Sequence, residues 1–486
     1  MAEFEIQNGV LKKCNSRYAS SVTVPDGVTV IGERAFYNCT MLRRITIPSG
    51  VNRIEKEAFK GCEALADITL PDGIVSIENG AFDRTKYFDT AANWDKGVLY
   101  IGKCLIATKE RMDYTVKAGT EVIAASAFSN CKLLKNIVIP DGVTHIGARA
   151  FWGCVALESA VLPDTLREIG DEAFYNCGVL KAIDIPKNVV RIGAKAFSGC
   201  KFLVGVVIPD GVTRVASGSF EECWRLSDIV MPDSVLSIGS SAFRNCVSIR
   251  KIVLPNKLEE IGSKAFEDCS SIKRIDLPPS VKIIGRDAFA WCRELAEITV
   301  PEGLIEIGAY VFSYCSALKE IVIPAGCKSI GERAFYECTS LERIEVKGAV
   351  TDAGNNVFSG VPHTARFILR VSSMTLLEGK GWEDVWGRTV LQFLEAYYSG
   401  TVDEAEIAEW RAYINRRTAR AINALADELL LYRFFTENNT LSPDRVPVLL
   451  EKTTNIECRA LLLEYVNKRK RKSAEGIIDD LFNLDD

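Results

Sequence analysis

Hydrophobic residues recur in this chain with short spacings nested inside a long one. Leu134, Ile137 and Ile139 read as L-x-x-I-x-I, and the alternation at 137 and 139 predicts a short strand with one buried face. Pro140 closes that strand because proline cannot donate to a sheet ladder, and Asp141-Gly142 supplies turn chemistry. Val143-x-x-Ile146-Gly147 predicts a second extended run on another side. Ala150-Phe151-x-x-Cys154 is too short for a full helix and fits one α or 3₁₀ turn. Then the pattern restarts. Phenylalanine stands at 36, 59, 82, 128, 151, 174, 197, 220, 243, 266, 289, 312, 335 and 358, every gap being 23 except one of 46 between Phe82 and Phe128. A fixed period of this length specifies a solenoid of three-sided coils, each touching only its neighbours.

The full pattern, L-x-x-I-x-I-P-x-x-V-x-x-I-G-x-x-A-F-x-x-C, holds its phase from about residue 22 to 371 and resembles the BspA-like leucine-rich repeats. The resemblance implies an α/β fold, a leucine-rich-repeat solenoid with a parallel β-sheet on its concave face. It also implies a binding role, in a family best known from bacterial surface proteins. A small all-α C-terminal domain is expected to follow.

Three stretches depart from the repeat. Residues 1–24 read as an N-terminal cap, Phe4-Glu5-Ile6 and Val10-Leu11 flanking Asn8-Gly9, a strong hairpin signal. The solenoid proper is expected over 25–371, with a non-repeat insertion at about 83–121. There, Ala91 and Asn93 stand where apolar strand residues are due, and Gly102-Lys103 joins Val98-Leu99-Tyr100-Ile101 to Cys104-Leu105-Ile106 as a second hairpin. Gly97-Val98-Leu99 echoes Gly9-Val10-Leu11. The insertion is therefore read as a second cap-like coil; in the other reading Tyr87, Phe88, Trp94 and Tyr100 form a protruding contact surface.

From Ser372 to residue 486 the pattern is helical. Thr401-x-x-Glu404 is spaced as a capping box opening a helix through Trp410 and Ile414. Ala419 to Phe435 reads as one helix. Ser442-Pro443 opens Val446 to Lys452, and Ile456 to Arg471 forms another helix. The pairs near 419–471 weakly resemble ankyrin-type repeats. Their simplest role is to close the end of the solenoid; a separate partner-binding module is the alternative. Lys468-Arg-Lys-Arg-Lys472 reads as a solvated helix end, although anionic surfaces also attract such runs. The acidic, amphipathic tail Ile477–Asp486 either packs on the helices or docks in a partner's groove.

Composition narrows the function classes. The net charge is −5, with 59 Lys+Arg spread along the chain, so no nucleic-acid partner is expected. No run of apolar residues is long enough to span a membrane, and the first residues lack the basic and apolar regions of a signal peptide. Of 16 cysteines, twelve (39, 62, 131, 154, 177, 200, 223, 246, 269, 292, 315 and 338) share the position three after the Phe. Stacked side chains point the same way, which disfavours disulfides, and one thiol per coil cannot build a tetrahedral four-cysteine metal site. They read as a ladder of buried thiols acting as small hydrophobes, safest in a reducing compartment. A cytoplasmic location is expected, with the cell surface as the alternative, and the chain is expected to be a monomer without cofactor or metal.

Candidate chemistry is sparse. The two histidines, His145 and His363, have no matching nucleophile nearby and read as surface residues. No H-E-x-x-H, G-x-S-x-G or phosphate-binding loop is present. What remains is surface. The outward position of the first strand carries Val138, Val161, Asp184, Val207, Val230, Val253 and Asp276, and the position two residues earlier carries Lys251 and Arg274. These nine residues form the candidate protein-binding strip on the concave face: a low, apolar run flanked by charges. The aromatic residues after the repeat Phe, among them Trp152, Tyr175 and Trp291, are open to two roles, as binding anchors or as rings packing over the turns. The first functional reading is a non-catalytic protein-interaction solenoid that takes a protein or peptide on this strip. The alternative is a bacterial surface adhesin for host protein or glycan. The third is an enzyme acting at the 83–121 insertion, which requires a polar cleft there.

Overall fold

The structure, a computed structural model, describes residues 3–362, 364–369, 371–377 and 383–482. His363 and the last four residues of the acidic tail lie outside them. Up to Leu369 the chain forms a solenoid of parallel strands, and outside the two hairpins the strand pairings between coils join residues 23 apart. In the first ladder Ser21–Thr23 pairs with Arg44–Thr46 and that with Asp67–Thr69. Past the second hairpin, and still within the stretch read as the insertion, Asp113–Thr115 takes it up again, followed by Asn136–Val138 and Ser159–Val161. The second ladder is built from two-residue strands such as His145–Ile146, Glu168–Ile169 and Arg191–Ile192. The glycine after each of these strands is needed for close approach: a Cβ on Gly147 would stand 2.5 Å from the Ala125 nitrogen of the preceding coil.

The third side, read as one α or 3₁₀ turn, forms separate three-residue-spaced turns without a continuous helical turn. Trp152 and Cys154 N–H groups close tight turns onto Arg149 and Phe151 carbonyls at 3.0 and 3.2 Å. The alternate N–H groups leave the coil: Arg149, Phe151 and Gly153 donate to Asp171, Ala173 and Tyr175 at 2.8, 2.7 and 2.8 Å. Left-handed φ values of 60° at Arg149 and 70° at Gly153 break the right-handed run. A third intercoil ladder thus replaces a helical turn.

The cysteine ladder does more than fill space. Cys154, Cys177 and Cys246 thiols donate to the Phe128, Phe151 and Phe220 carbonyls of the preceding coil at 3.1, 3.2 and 3.1 Å. Each such carbonyl also accepts the N–H of its own coil's cysteine, so both lone pairs are used. All 16 cysteines are free and buried. Burial pushes the Cys154 and Cys200 thiols up to about 12, far from a reactive thiolate at neutral pH. Behind the thiols the phenylalanines stack in a column. Successive rings from Phe128 to Phe358 lie 4.9–5.7 Å apart, with planes within 19° of parallel.

Both hairpins form as expected. Phe4–Gln7 pairs antiparallel with Val10–Cys14 through Asn8 (φ 50°) and Gly9 (φ 73°), the conformation a type I′ turn requires. Val10 and Leu11 then pair in parallel with Val30 and Ile31, which covers the open edge of the second ladder. The insertion repeats this device. Trp94–Asp95, Val98–Ile101 and Cys104–Thr108 form a meander, and Cys104 and Leu105 start a new second ladder against Val122 and Ile123. Its aromatics pack inward rather than protruding: Tyr87 donates to the Tyr100 carbonyl at 2.9 Å and the Trp94 indole to the Phe88 carbonyl at 2.6 Å. The buried core divides here, one part running from Leu11 to Ala124 and the other from Val98 to Tyr465. The ring column likewise stops at Phe82 and restarts at Phe128. A backbone bond of 2.8 Å from Ala125 N–H to the Ile77 carbonyl joins the two lobes.

The C-terminal helices continue the second core without a gap, Phe367 and Leu369 packing with Met374, Leu377, Trp386 and Val390. A helix over Glu383–Tyr398 is followed by Glu404–Arg416, whose cap is Asp403 rather than Thr401. The Asp403 carboxylate accepts the Glu406 N–H at 2.8 Å, whereas Thr401 is drawn back onto the Ala396 carbonyl. The single helix expected over Ala419–Phe435 is two, Thr418–Ala424 and Leu429–Glu437. The break frees Asp427 to accept from the Thr453 hydroxyl and from the Thr454 and Asn455 N–H groups. Val446–Lys452 forms as expected, and the last helix runs on from Ile456 to Phe482.

Candidate functional site

The first ladder places the predicted strip on one outward face. Val138, Val161, Val207, Val230 and Val253 are 39, 52, 60, 56 and 67 % exposed. Asp184, Lys251, Arg274 and Asp276 are exposed beside them. The row is not continuous as a sheet. Ala182–Asp184 forms no strand, and within this ladder the Lys251–Val253 segment is joined to the next coil by a single bridge from Lys251 to Arg274. Ala182 and Asp184 are poor strand formers and account for the first gap; nothing in the sequence around Lys251 accounts for the second.

At the first gap lies a shallow depression of about 360 Å³, lined by Lys181, Ala182, Asp184, Gly205, Val207 and Val230 among others. The small side chains at 182 and 205 create it. Its floor is valine and its rim is Asp184, Asp228 and Lys181. The charged end of the strip is self-neutralised. The Arg274 guanidinium bonds Asp276 at 3.0 Å and Glu297 at 2.9 Å, and it holds the Asp276 carboxyl below the usual range. The strip thus combines an apolar centre at 207 and 230 with an ion-paired rim at 274 and 276.

A second concave feature was not anticipated. Where the two lobes meet beside the insertion, a cleft of about 660 Å³ separates Arg53, Ser76 and Glu78 from His145, Glu168 and Arg191. It adjoins a space of about 560 Å³ lined by Asn79, Ser126, Asn130, Arg149, Trp152 and Glu172 among others. His145, read from the sequence as a surface residue, lines this cleft half-buried. Its Nδ1 lies 2.8 Å from the Thr144 hydroxyl, and burial lowers its basicity against the opposing pull of Glu168. The acids around it are held by arginines: Arg191 pairs with Glu168 and Asp171, and Arg149 with Glu172. None of the cleft's carboxylates is paired with a serine, threonine or cysteine nucleophile. Among the described residues no group of three or more His, Cys, Asp or Glu side chains could hold a metal ion. The one sequence signal for the cleft was the interrupted phenylalanine phase, which marked a joint without showing what faced across it.

A stacked array of short parallel strands, with leucine, isoleucine, phenylalanine and cysteine at fixed inward positions, defines a leucine-rich-repeat solenoid. The profile of the BspA type leucine rich repeat region matches six copies over residues 5–116, 121–250 and 236–364, and the chain belongs to that family. Among solved structures, a leucine-rich repeat protein from Bacteroides ovatus is 24% identical over 76% of this chain and 97% of its own, with a TM-score of 0.42. A leucine rich cell surface protein from Faecalibacterium prausnitzii is 29% identical, covering 68% and 79%, with a TM-score of 0.32. A leucine-rich repeat protein from Eubacterium ventriosum is 22% identical, covering 70% and 82%, with a TM-score of 0.38. No curated protein matches the chain by sequence. Among the described residues no helix is long and apolar enough to cross a membrane.

Proposed function

We propose that this protein is a non-catalytic interaction solenoid that binds a protein or peptide on the first ladder, centred on Val207 and Val230. The observation that carries the reading is the depression at Ala182 and Gly205. There, five more-than-one-third-exposed valines of one row pass a dip in the sheet that is bordered by opposite charges. Exposed apolar surface organised in a line is the usual mark of an interface. The ladder holds these side chains in place before any partner arrives, so little ordering entropy is lost on binding. Membership of a repeat family built as a scaffold supports the non-catalytic part of the reading. A reducing compartment suits sixteen unpaired thiols.

The test is a double substitution, Val207→Asp with Val230→Asp. Both side chains are more than half exposed, so the melting temperature is expected to stay close to that of the parent. Peptides selected from a displayed random library against the full chain should lose affinity by about tenfold or more, because two carboxylates would be buried without partners. Selected peptides that bind the double variant as well as the parent would remove the strip from consideration.

A further inference from the structure

We propose that the space between the lobes is a carbohydrate-binding site, in which a pyranose ring of a glycan stacks on the open face of Trp152. The inference rests on residues separate from the valine strip. Trp152 and Tyr175 occupy the same position in consecutive coils, and their rings stack with centroids 5.9 Å apart and planes 5° from parallel. One face of the indole is therefore covered by Tyr175. The other face looks along the solenoid toward the preceding coil, where the equivalent residue is Ser129 and supplies no ring. Serine at that position leaves the half-buried indole facing a space of about 560 Å³.

Polar groups ring this space, and their type selects the ligand. Asn79 and Asn130 offer amides, and Ser126 and Ser129 offer hydroxyls. Arg149 and Glu172 form a two-point pair at 2.9 and 3.1 Å, a neutral fork of donors and acceptors. A flat apolar platform surrounded by donors and acceptors that are neutral apart from Lys195 matches a sugar, whose C–H face is apolar and whose edge is hydroxyl. A phosphate-bearing ligand would want several unpaired cations; Arg149 is already neutralised by Glu172, which leaves Lys195 as the single other cation lining the space. The site opens into the adjoining cleft of about 660 Å³, which gives room for further sugar units.

The experiment uses the full chain on a glycan array, followed by calorimetric titration with cello-, malto-, xylo- and chito-oligosaccharides. At least one glycan class is expected to bind. Trp152→Ala should weaken that binding about tenfold or more, the loss typical of a central aromatic anchor. Ser129→Tyr provides a second arm: it extends the ring stack by one member, so it should block the site while keeping the parent's melting temperature. Failure of every glycan to bind at millimolar concentration, or binding that both variants retain, would overturn the proposal. Binding of selected peptides, and not sugars, at Trp152 would overturn it as well.

Discussion

Replacing Phe243 by Ala should lower stability by about 3–5 kcal/mol, the cost of emptying a fully buried aromatic site. The side chain is 0% exposed and stacks between Phe220 and Phe266 at 5.5 and 5.4 Å. Two stacking contacts vanish together with the buried area, and neighbouring coils cannot close the gap, since the second ladder and the third-side hydrogen bonds fix their spacing. The damage should also be local. Coils of a solenoid contact only their neighbours, so loss of protection should decay along the axis rather than spread through the chain. Hydrogen-exchange mass spectrometry would show faster exchange in coils 197–289, with 36–82 and 312–358 unchanged. Uniform loss along the whole chain would mean a globally cooperative unit and contradict the nearest-neighbour picture.

Cutting the chain after Val371 should cost still more in behaviour, if not in local stability. The helices Glu383–Tyr398 and Thr418–Ala424 belong to the same buried core as the last coil, which links Phe358, Phe367 and Leu369 to Trp386, Val390 and Ile422. Ser373 also ties them to the coil: its hydroxyl donates to the Gly348 carbonyl at 2.8 Å and accepts the Val350 N–H at 3.1 Å. The truncated protein would expose those apolar side chains together with the free edge of Arg366–Leu369. A bare strand edge beside uncovered apolar surface promotes aggregation. Light scattering should therefore find the truncated chain in large assemblies under conditions where the parent scatters little. A truncated chain of unchanged size and melting temperature would make the helices an independent module instead of a cap.

Much of this architecture is legible in the residue pattern, because coil-to-coil contacts repeat the same local chemistry. Phe151, Cys154 and Gly147 each meet their own equivalents 23 residues away, so one coil explains its neighbours. Both hairpins were equally plain, since Asn8-Gly9 and Gly102-Lys103 are local turn signals. The third side was legible only in part because its N–H groups go alternately within and between coils, which a spacing of apolar residues cannot reveal. Thr401 and the Ala419–Phe435 stretch failed for a related reason: Asp403 and Asp427 take hydrogen bonds that depend on where the chain has already gone. The candidate strip was legible as a row, but its dip depends on Ala182 and Gly205 lying side by side in successive coils. The interlobe cleft was legible only as a joint in the repeat. It is made by Arg53 and Ser76 facing His145 and Glu168 across the interrupted coils, and a phase that merely resumes after them does not show which side chains face each other.

The central claim is that the first ladder, around Val207 and Val230, is the face that meets a partner. The most direct measurement places a photo-crosslinking benzoyl-phenylalanine at Val207 in the protein as expressed in its native cell, with the same residue at Val190 as control. Val190 is 55 % exposed and equally apolar but lies on the second side of the coil. A discrete crosslinked band from position 207, suppressed by Val230→Asp and missing from position 190, is the predicted result. Equal crosslinking from both positions, or a band indifferent to Val230→Asp, would contradict the assignment.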